Sequence, residues 1–223
     1  MNSSNTFRIV LVVLALIVGS HAIASSFATL ESLDRPVFPS DPTKSYSPAV
    51  ATVPNWLETA SPFRSDLESN YALIVALQDI QAGRERSTAD QSARNSEARR
   101  RLKQTLSISP YNPELWLALA LLQAQHDPRD PSLGEALKMA YFTAPNDVEL
   151  MPVRLDTVTL FDALADPDIK ELARGDVRLM LTRQVELKRA VVSAYRRASS
   201  LGKAFLEEAV QSIDPSFLPK LRG

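Results

Sequence analysis

The chain contains no cysteine. Disulfides, thiolate metal sites and cysteine nucleophiles are excluded with it, and so is a lipid anchor on a cysteine. Histidine is almost as scarce, with only two, His21 and His126. His21 falls in an apparent targeting segment, so the rest of the chain cannot supply a two-histidine metal site. A serine–histidine–acid triad would have to use His126, in the loop sequence QHDPRDPS, where it reads as a solvated loop residue. Glycine numbers only 6 in 223 residues while Leu and Ala abound, which favours helix over sheet. There is no phosphate-cradling glycine loop and no nucleophile elbow. An excess of one charge is missing too. With 25 Lys+Arg against 26 Asp+Glu the net charge is -1, which argues against a nucleic-acid-binding protein.

What is present starts with an ordinary globular composition, 45% hydrophobic and 23% charged, enough for one domain with a real core. The polar, singly charged start MNSSNTFR precedes the apolar run IVLVVLALIVG, Ile9 to Gly19, and then SHAIASS. A charged start, an apolar core of 11 residues and the small pair Ala22/Ala24 form the pattern of a secretory signal cleaved after Ala24. The alternative is an uncleaved anchor, although Ile9 to Ala24 is 16 residues interrupted by Ser20 and His21. A spanning helix needs ~20. Residues 1–24 are therefore expected to be a signal peptide or signal anchor. In either case Arg8 keeps the N-terminus inside and the remainder lies outside the cytoplasm. The short core and small-residue site look bacterial. The expected location is the periplasm, soluble after cleavage or held at the inner membrane by residues 9–24, the only segment expected to touch the membrane.

Residues 25–64 carry Pro36, Pro39, Pro42, Pro48, Pro54 and Pro62 among Ser, Thr and Asp. No helix runs through prolines so spaced, so an extended linker is expected. Trp56, in PNWLET, is expected to dock on the domain that follows.

From residue 65 to 223 helix punctuation is dense. Ser65-Asp-Leu-Glu68 and Ser132-Leu-Gly-Glu135 read as capping boxes. Asn112-Pro113 and Asp166-Pro167 place a capping side chain before a proline at the first helical position, and Asp147 precedes VELM in the same way. These signals predict helices near 66–82, 89–107, 113–126, 132–143, 147–164, 167–182, 184–198 and 200–213. The stretch LWLALALL, Leu115 to Leu122, is too short to span a membrane and too rich in Leu and Ala for a strand. As a helix apolar on every side, it must be covered on every side.

Laid over the segment 35 residues later, SPYNPELWLAL matches APNDVELMPVR: Pro110 on Pro145, Asn112 on Asp147, Glu114 on Glu149, Leu115 on Leu150. A fainter copy follows, with Val185-Glu186-Leu187 on Val148-Glu149-Leu150. Self-similarity near this period, one helical hairpin per unit, signals a stacked helical repeat. Residues 112–145 resemble a tetratricopeptide repeat, with Trp116, Leu119 and Ala120 on the first helix and Leu137, Ala140 and Pro145 on the second. Gln123 departs from the signature, which has an aromatic there. Pro152 should kink or delay the third unit's first helix, and Gly175 should weaken the helix that holds it. The resemblance implies an all-α fold: a right-handed α-solenoid of about four hairpins, preceded by an N-terminal hydrophobic helix and the proline-rich linker.

It also implies a partner groove along the first helices, here Glu114, Leu117, Leu121, Ala124 and Gln125, suited to a peptide or partner helix unless the linker or another helix covers it. The Arg99, Arg100, Arg101 and Lys103 stretch offers a second surface, for an acidic polysaccharide or lipid headgroups, although three consecutive arginines fan around a helix. Asp127 and Asp130, and Asp162, Asp166 and Asp168, sit at or before helix starts, where carboxylates cap. Their spacing fits no calcium loop. No catalytic, cofactor or metal residue is expected. The expected function is a non-enzymatic scaffold for a protein partner in a bacterial envelope assembly, by analogy one for polysaccharide synthesis or export. The alternative is a binding module for an anionic polymer or lipid surface through Arg99–Lys103.

Overall fold

The computed structural model describes residues 3–31, 38, 65–85 and 89–223. The chain divides into two compact units, Met1–Pro36 and Val37–Gly223. The first contains helix α1 (Ser3–Glu31). It runs on through Ala24 to Glu31. Every described side chain from Phe7 to Ser20 is exposed. Among the described residues no helix is long and apolar enough to cross a membrane. Trp56 and most of the proline-rich stretch lie outside the described residues.

The second unit is all-helical among its described residues. Its helices are α2 (Ser65–Glu85), α3 (Ala89–Ile108), α4 (Pro113–His126), α5 (Pro131–Thr143), α6 (Met151–Leu160), α7 (Pro167–Thr182), α8 (Lys188–Arg197), α9 (Ser200–Ile213) and α10 (Leu218–Arg222). Short 3-10 turns at Asp162–Ala165, Val185–Leu187 and Pro215–Phe217 join the later ones.

Asn112 starts α4 as expected, its carboxamide oxygen accepting from the Glu114 and Leu115 amides at 3.1 and 3.2 Å. Asp166 starts α7 likewise, accepting from Asp168 and Ile169. One expected capping box takes another form: Asp130, not Ser132, caps α5, with Pro131 in its first turn. The other rests on Ser65, whose side chain lies outside the described residues; Glu68 pairs with Arg101. Pro152 delays the third hairpin: Asp147 accepts from the Glu149 and Leu150 amides in a turn, and α6 begins only at Met151. The helix expected over 147–164 is thus a turn, a ten-residue helix and a 3-10 turn.

One hydrophobic core runs through α2 to α10, with Phe38 buried in it. α4 packs against α2, α3 and α5, while α6 packs against α7, α8 and α9. The link between these two groups runs through α5 and α7. α4 and α6 are the enclosed helices of their halves, buried from Leu117 to Ala124 and from Met151 to Thr159.

Candidate interaction surfaces

The expected partner groove is closed. Leu117 is 0% and Leu121 8% exposed, and Ala124 is buried with them. Glu114 is half-buried. Gln125 is exposed, but its amide donates to the Ile80 carbonyl at 2.8 Å and ties α4 to α2. These five residues do not line a surface open to a partner. The reason is that α2, α3 and α5 together enclose α4, as an all-apolar helix requires.

Arg99, Arg100, Arg101 and Lys103 do not share a free face either. Arg101 points inward, its guanidinium forked onto Glu68 at 3.1 and 3.2 Å and stacked 3.9 Å above the Tyr71 ring. Arg100 is held on its own helix by Glu97 at 2.8 Å and Gln104 at 3.0 Å. Arg99 and Lys103 both lie within electrostatic reach of Asp130. The Asp130 carboxyl is held below its ordinary range, chiefly by the Ser132 amide it caps. Lys103 is exposed and Arg99 half-buried.

The residues carrying the repeat resemblance are packing residues. Leu119, Ala120, Leu137 and Ala140 are buried, and Trp116 packs against the core with its indole N–H donating to the Pro110 carbonyl at 2.8 Å. Pro145 is exposed in the turn after α5. Gln123, where the signature has an aromatic, is buried at the end of α4.

Four of the five acids meet a backbone amide or a cation, and Asp162 stays exposed at the start of its 3-10 turn. Lys138 reaches Asp166 at 2.7 Å and Asp168 at 3.3 Å, tying α5 to the start of α7. That contact, with the amides Asp166 caps, lowers the Asp166 pKa. Asp127 accepts from the Arg129 amide at 2.9 Å in the loop after the exposed His126. Among the described residues no group of three or more His, Asp or Glu could hold a metal ion.

Sequence reasoning missed a cluster at the base of α6. Arg154 is 0% exposed and forked onto Asp176 of α7 at 3.0 and 3.2 Å. Its remaining nitrogen donates to the Ala140 and Ala144 carbonyls at 3.3 and 2.7 Å. These are end-of-helix carbonyls of α5, which have no partner inside their own helix. Its guanidinium stacks 4.5 Å from the buried Tyr141 ring. One side chain thereby joins α5, α6 and α7. Burial pushes the Asp176 carboxyl up to about 7 against the pull of Arg154, and burial raises the Tyr141 hydroxyl well above its usual value. Two residues on, Asp156 takes Arg197 of α8 at 2.7 Å. At the end of α6 the Thr159 carbonyl accepts from the Ser199 amide and hydroxyl, both at 3.0 Å. Gly202 lies against the same carbonyl, where an added Cβ would meet the oxygen at 2.1 Å. Nothing in MPVRLDTVTL announced this, because an arginine and an aspartate within four residues read as a solvated face until their distant partners are known.

What the surface does offer is apolar side chains at one end of the first two hairpins. Tyr111 is 84% and Phe142 61% exposed, and Ile108, three residues before Tyr111, is exposed too. The end of α3, the start of α4 and the end of α5 fall at one end, because Asn95 near the start of α3 reaches the Leu122 carbonyl near the end of α4 at 3.1 Å and the short turn 127–130 folds α5 back on α4. No protein-family model, no curated protein and no solved structure matches the chain, so a functional reading rests on this geometry alone.

Proposed function

We propose that the chain is a non-enzymatic interaction scaffold of the bacterial cell envelope, exported by its N-terminal segment and acting through a protein partner. In this reading α2–α3 and α4–α5 are two stacked hairpins of a tetratricopeptide-like solenoid, and α6–α7 and α8–α9 are divergent units that continue it. An envelope assembly for polysaccharide synthesis or export remains the pathway suggested by analogy with such repeats. The observation that carries the reading is the group Ile108, Tyr111 and Phe142. Large apolar side chains are left in solvent where three helix ends meet, Tyr111 the most exposed of them at 84%. Apolar patches of this kind mark interaction sites more often than single scattered side chains do. The second reading, an anion-binding face at Arg99–Lys103, is weakened because Arg100 and Arg101 are committed to Glu97 and Glu68.

A photo-crosslinking residue placed at Tyr111 or Phe142 in the full chain, expressed in cells, tests the reading. Discrete adducts are expected from both positions and not from Arg129, at the opposite end of the same hairpin. Equal labelling from all three, or none from any, would sink it. A reporter enzyme that is active only outside the cytoplasm, fused after Gly223, tests export separately.

A further inference from the structure

The Arg99–Lys103 stretch is not the most basic surface of the folded chain. Between Arg178 and Lys203 the sequence holds seven cations and a single anion, Glu186. Folding neutralises two of the seven with acids from elsewhere: Lys188 pairs with Asp214 at 3.2 Å and Arg197 with Asp156 at 2.7 Å. Lys203 lies over the Tyr195 ring at 5.8 Å. Of the other acids near this face, Glu186 stays exposed in the turn between Arg183 and Arg189, while two are spent. Glu207 is taken by Arg222 and Tyr195, and Glu208 by Lys170 and Arg174. Arg178, Arg183, Arg189, Arg196 and Lys203 remain, all exposed and without an acidic partner among the described residues.

Their placement is ordered. Val191 and Ala194 are buried on one side of α8, and Arg189 and Arg196 lie on the opposite side. Seven residues apart, they are two helical turns apart on one face, ~10 Å along the axis. Arg183 caps the end of α7, joined to Arg189 by the short turn Val185–Leu187. Exposed apolar side chains accompany the row. Val185, 60% exposed, stands between Arg183 and Arg189, and the exposed Leu201 follows Arg196 at the start of α9.

We propose that the outer face of α8, with Arg183 and Arg189 at one end and Arg196 at the other, docks on a bilayer of anionic phospholipids. Four of these five cations are arginines, whose planar fork matches phosphate oxygens. Arg183, Arg189 and Arg196 form a row instead of converging on a pocket, which suits an array of headgroups better than one compact ligand. Val185 and Leu201 favour a lipid surface over a water-soluble polyanion, since apolar side chains beside cations can enter the headgroup layer. The proposal deepens the envelope reading without depending on α1.

Flotation of the full chain with vesicles tests it. Phosphatidylcholine vesicles report α1, and mixed phosphatidylcholine–phosphatidylglycerol vesicles add the anionic surface. Anionic lipid should tighten binding, and R183E/R189E/R196E should lose on the order of a hundredfold on it, at roughly fivefold per arginine. The triple variant should keep its helical circular dichroism and its binding to neutral vesicles, and salt should weaken the wild-type gain. R100E/K103E, on α3, should keep the gain. A gain that is absent, survives the triple reversal or falls with R100E/K103E overturns the proposal. So does retention on an acidic polysaccharide, dependent on the same arginines, without binding to vesicles. Loss of neutral-vesicle binding alone counts against the α1 reading and leaves this one standing.

Discussion

Two helices lie at the centre of this molecule, and they are enclosed by different chemistry. α4 is PELWLALALLQAQH, and its buried stretch is Leu and Ala apart from Gln123. α6 is MPVRLDTVTL, and it is buried from Met151 to Thr159 with an arginine, an aspartate and two threonines among those residues. The threonine hydroxyls donate back to the Val153 and Leu155 carbonyls at 2.7 and 2.8 Å, and the charges find partners on α7 and α8. A helix can therefore be central either by having nothing that wants water or by having every polar group satisfied. The first kind tolerates graded loss. The second fails abruptly when one partner goes, because the other is left charged and dry.

Breaking the second kind should give the largest effect. Arg154→Met leaves Asp176 buried without its cation and removes the link to α5. We expect a loss of about 3–5 kcal/mol by urea unfolding, with much of it recovered in R154M/D176L. A full penalty in the double variant would mean that the α5 carbonyl contacts, not the charge, dominate. The effect has a pH signature. A carboxyl whose folded pKa, about 7, lies above its unfolded value of 3.8 contributes stability that is fully present below the lower value. That contribution is lost as pH rises through the upper one. Stability should thus decline through this group from about pH 4 to pH 7. Arg154→Met should carry the decline on to higher pH, since loss of the cation raises the Asp176 carboxyl further.

In the apolar helix, Leu117→Ala should cost about 2–5 kcal/mol for its transfer and cavity, with no comparable pH dependence. Gly202→Ala probes the close approach of α9 to α6. Its Cβ would fall 2.1 Å from the Thr159 oxygen, so the helices must part, at about 1–3 kcal/mol or more. Thermal melting should show a clear drop for it. Gly175→Ala, where nothing lies within 4 Å of the added methyl, should instead raise stability by about 0.5–1 kcal/mol. A loss there would show that the exposed side of α7 is not as open as its surroundings indicate.

The same contrast explains what could be read beforehand. The bounds of α4, α7 and α9 agree with the sequence expectation, and for α4 and α7 the reason is local: an Asn or Asp before a proline fixes the first turn without outside help. The cover over Leu117 and Leu121 followed from the helix having no polar side, and the structure closes it. A signal with two competing solutions was misassigned: Ser132 lost its cap to Asp130 because Pro131 takes the first helical position. α6 was legible only in part. Pro152 announced the delay, but the burial of Arg154 depends on Asp176, 22 residues on, and on carbonyls at the end of α5. The basic face of α8 shows the same limit in reverse. Lys188, Arg189, Arg196 and Arg197 look alike in sequence, and distant acids decide which of them stay free.

The central claim is that α6 is as enclosed as α4 and that any partner must dock outside both. Native-state hydrogen exchange on the full chain tests it most directly. The amides in the middle of α4 and of α6 should fall together in the slowest class, exchanging only with global unfolding. Exchange in α6 running orders of magnitude ahead of α4 would contradict the account, because its polar residues would then be reaching water in the native state.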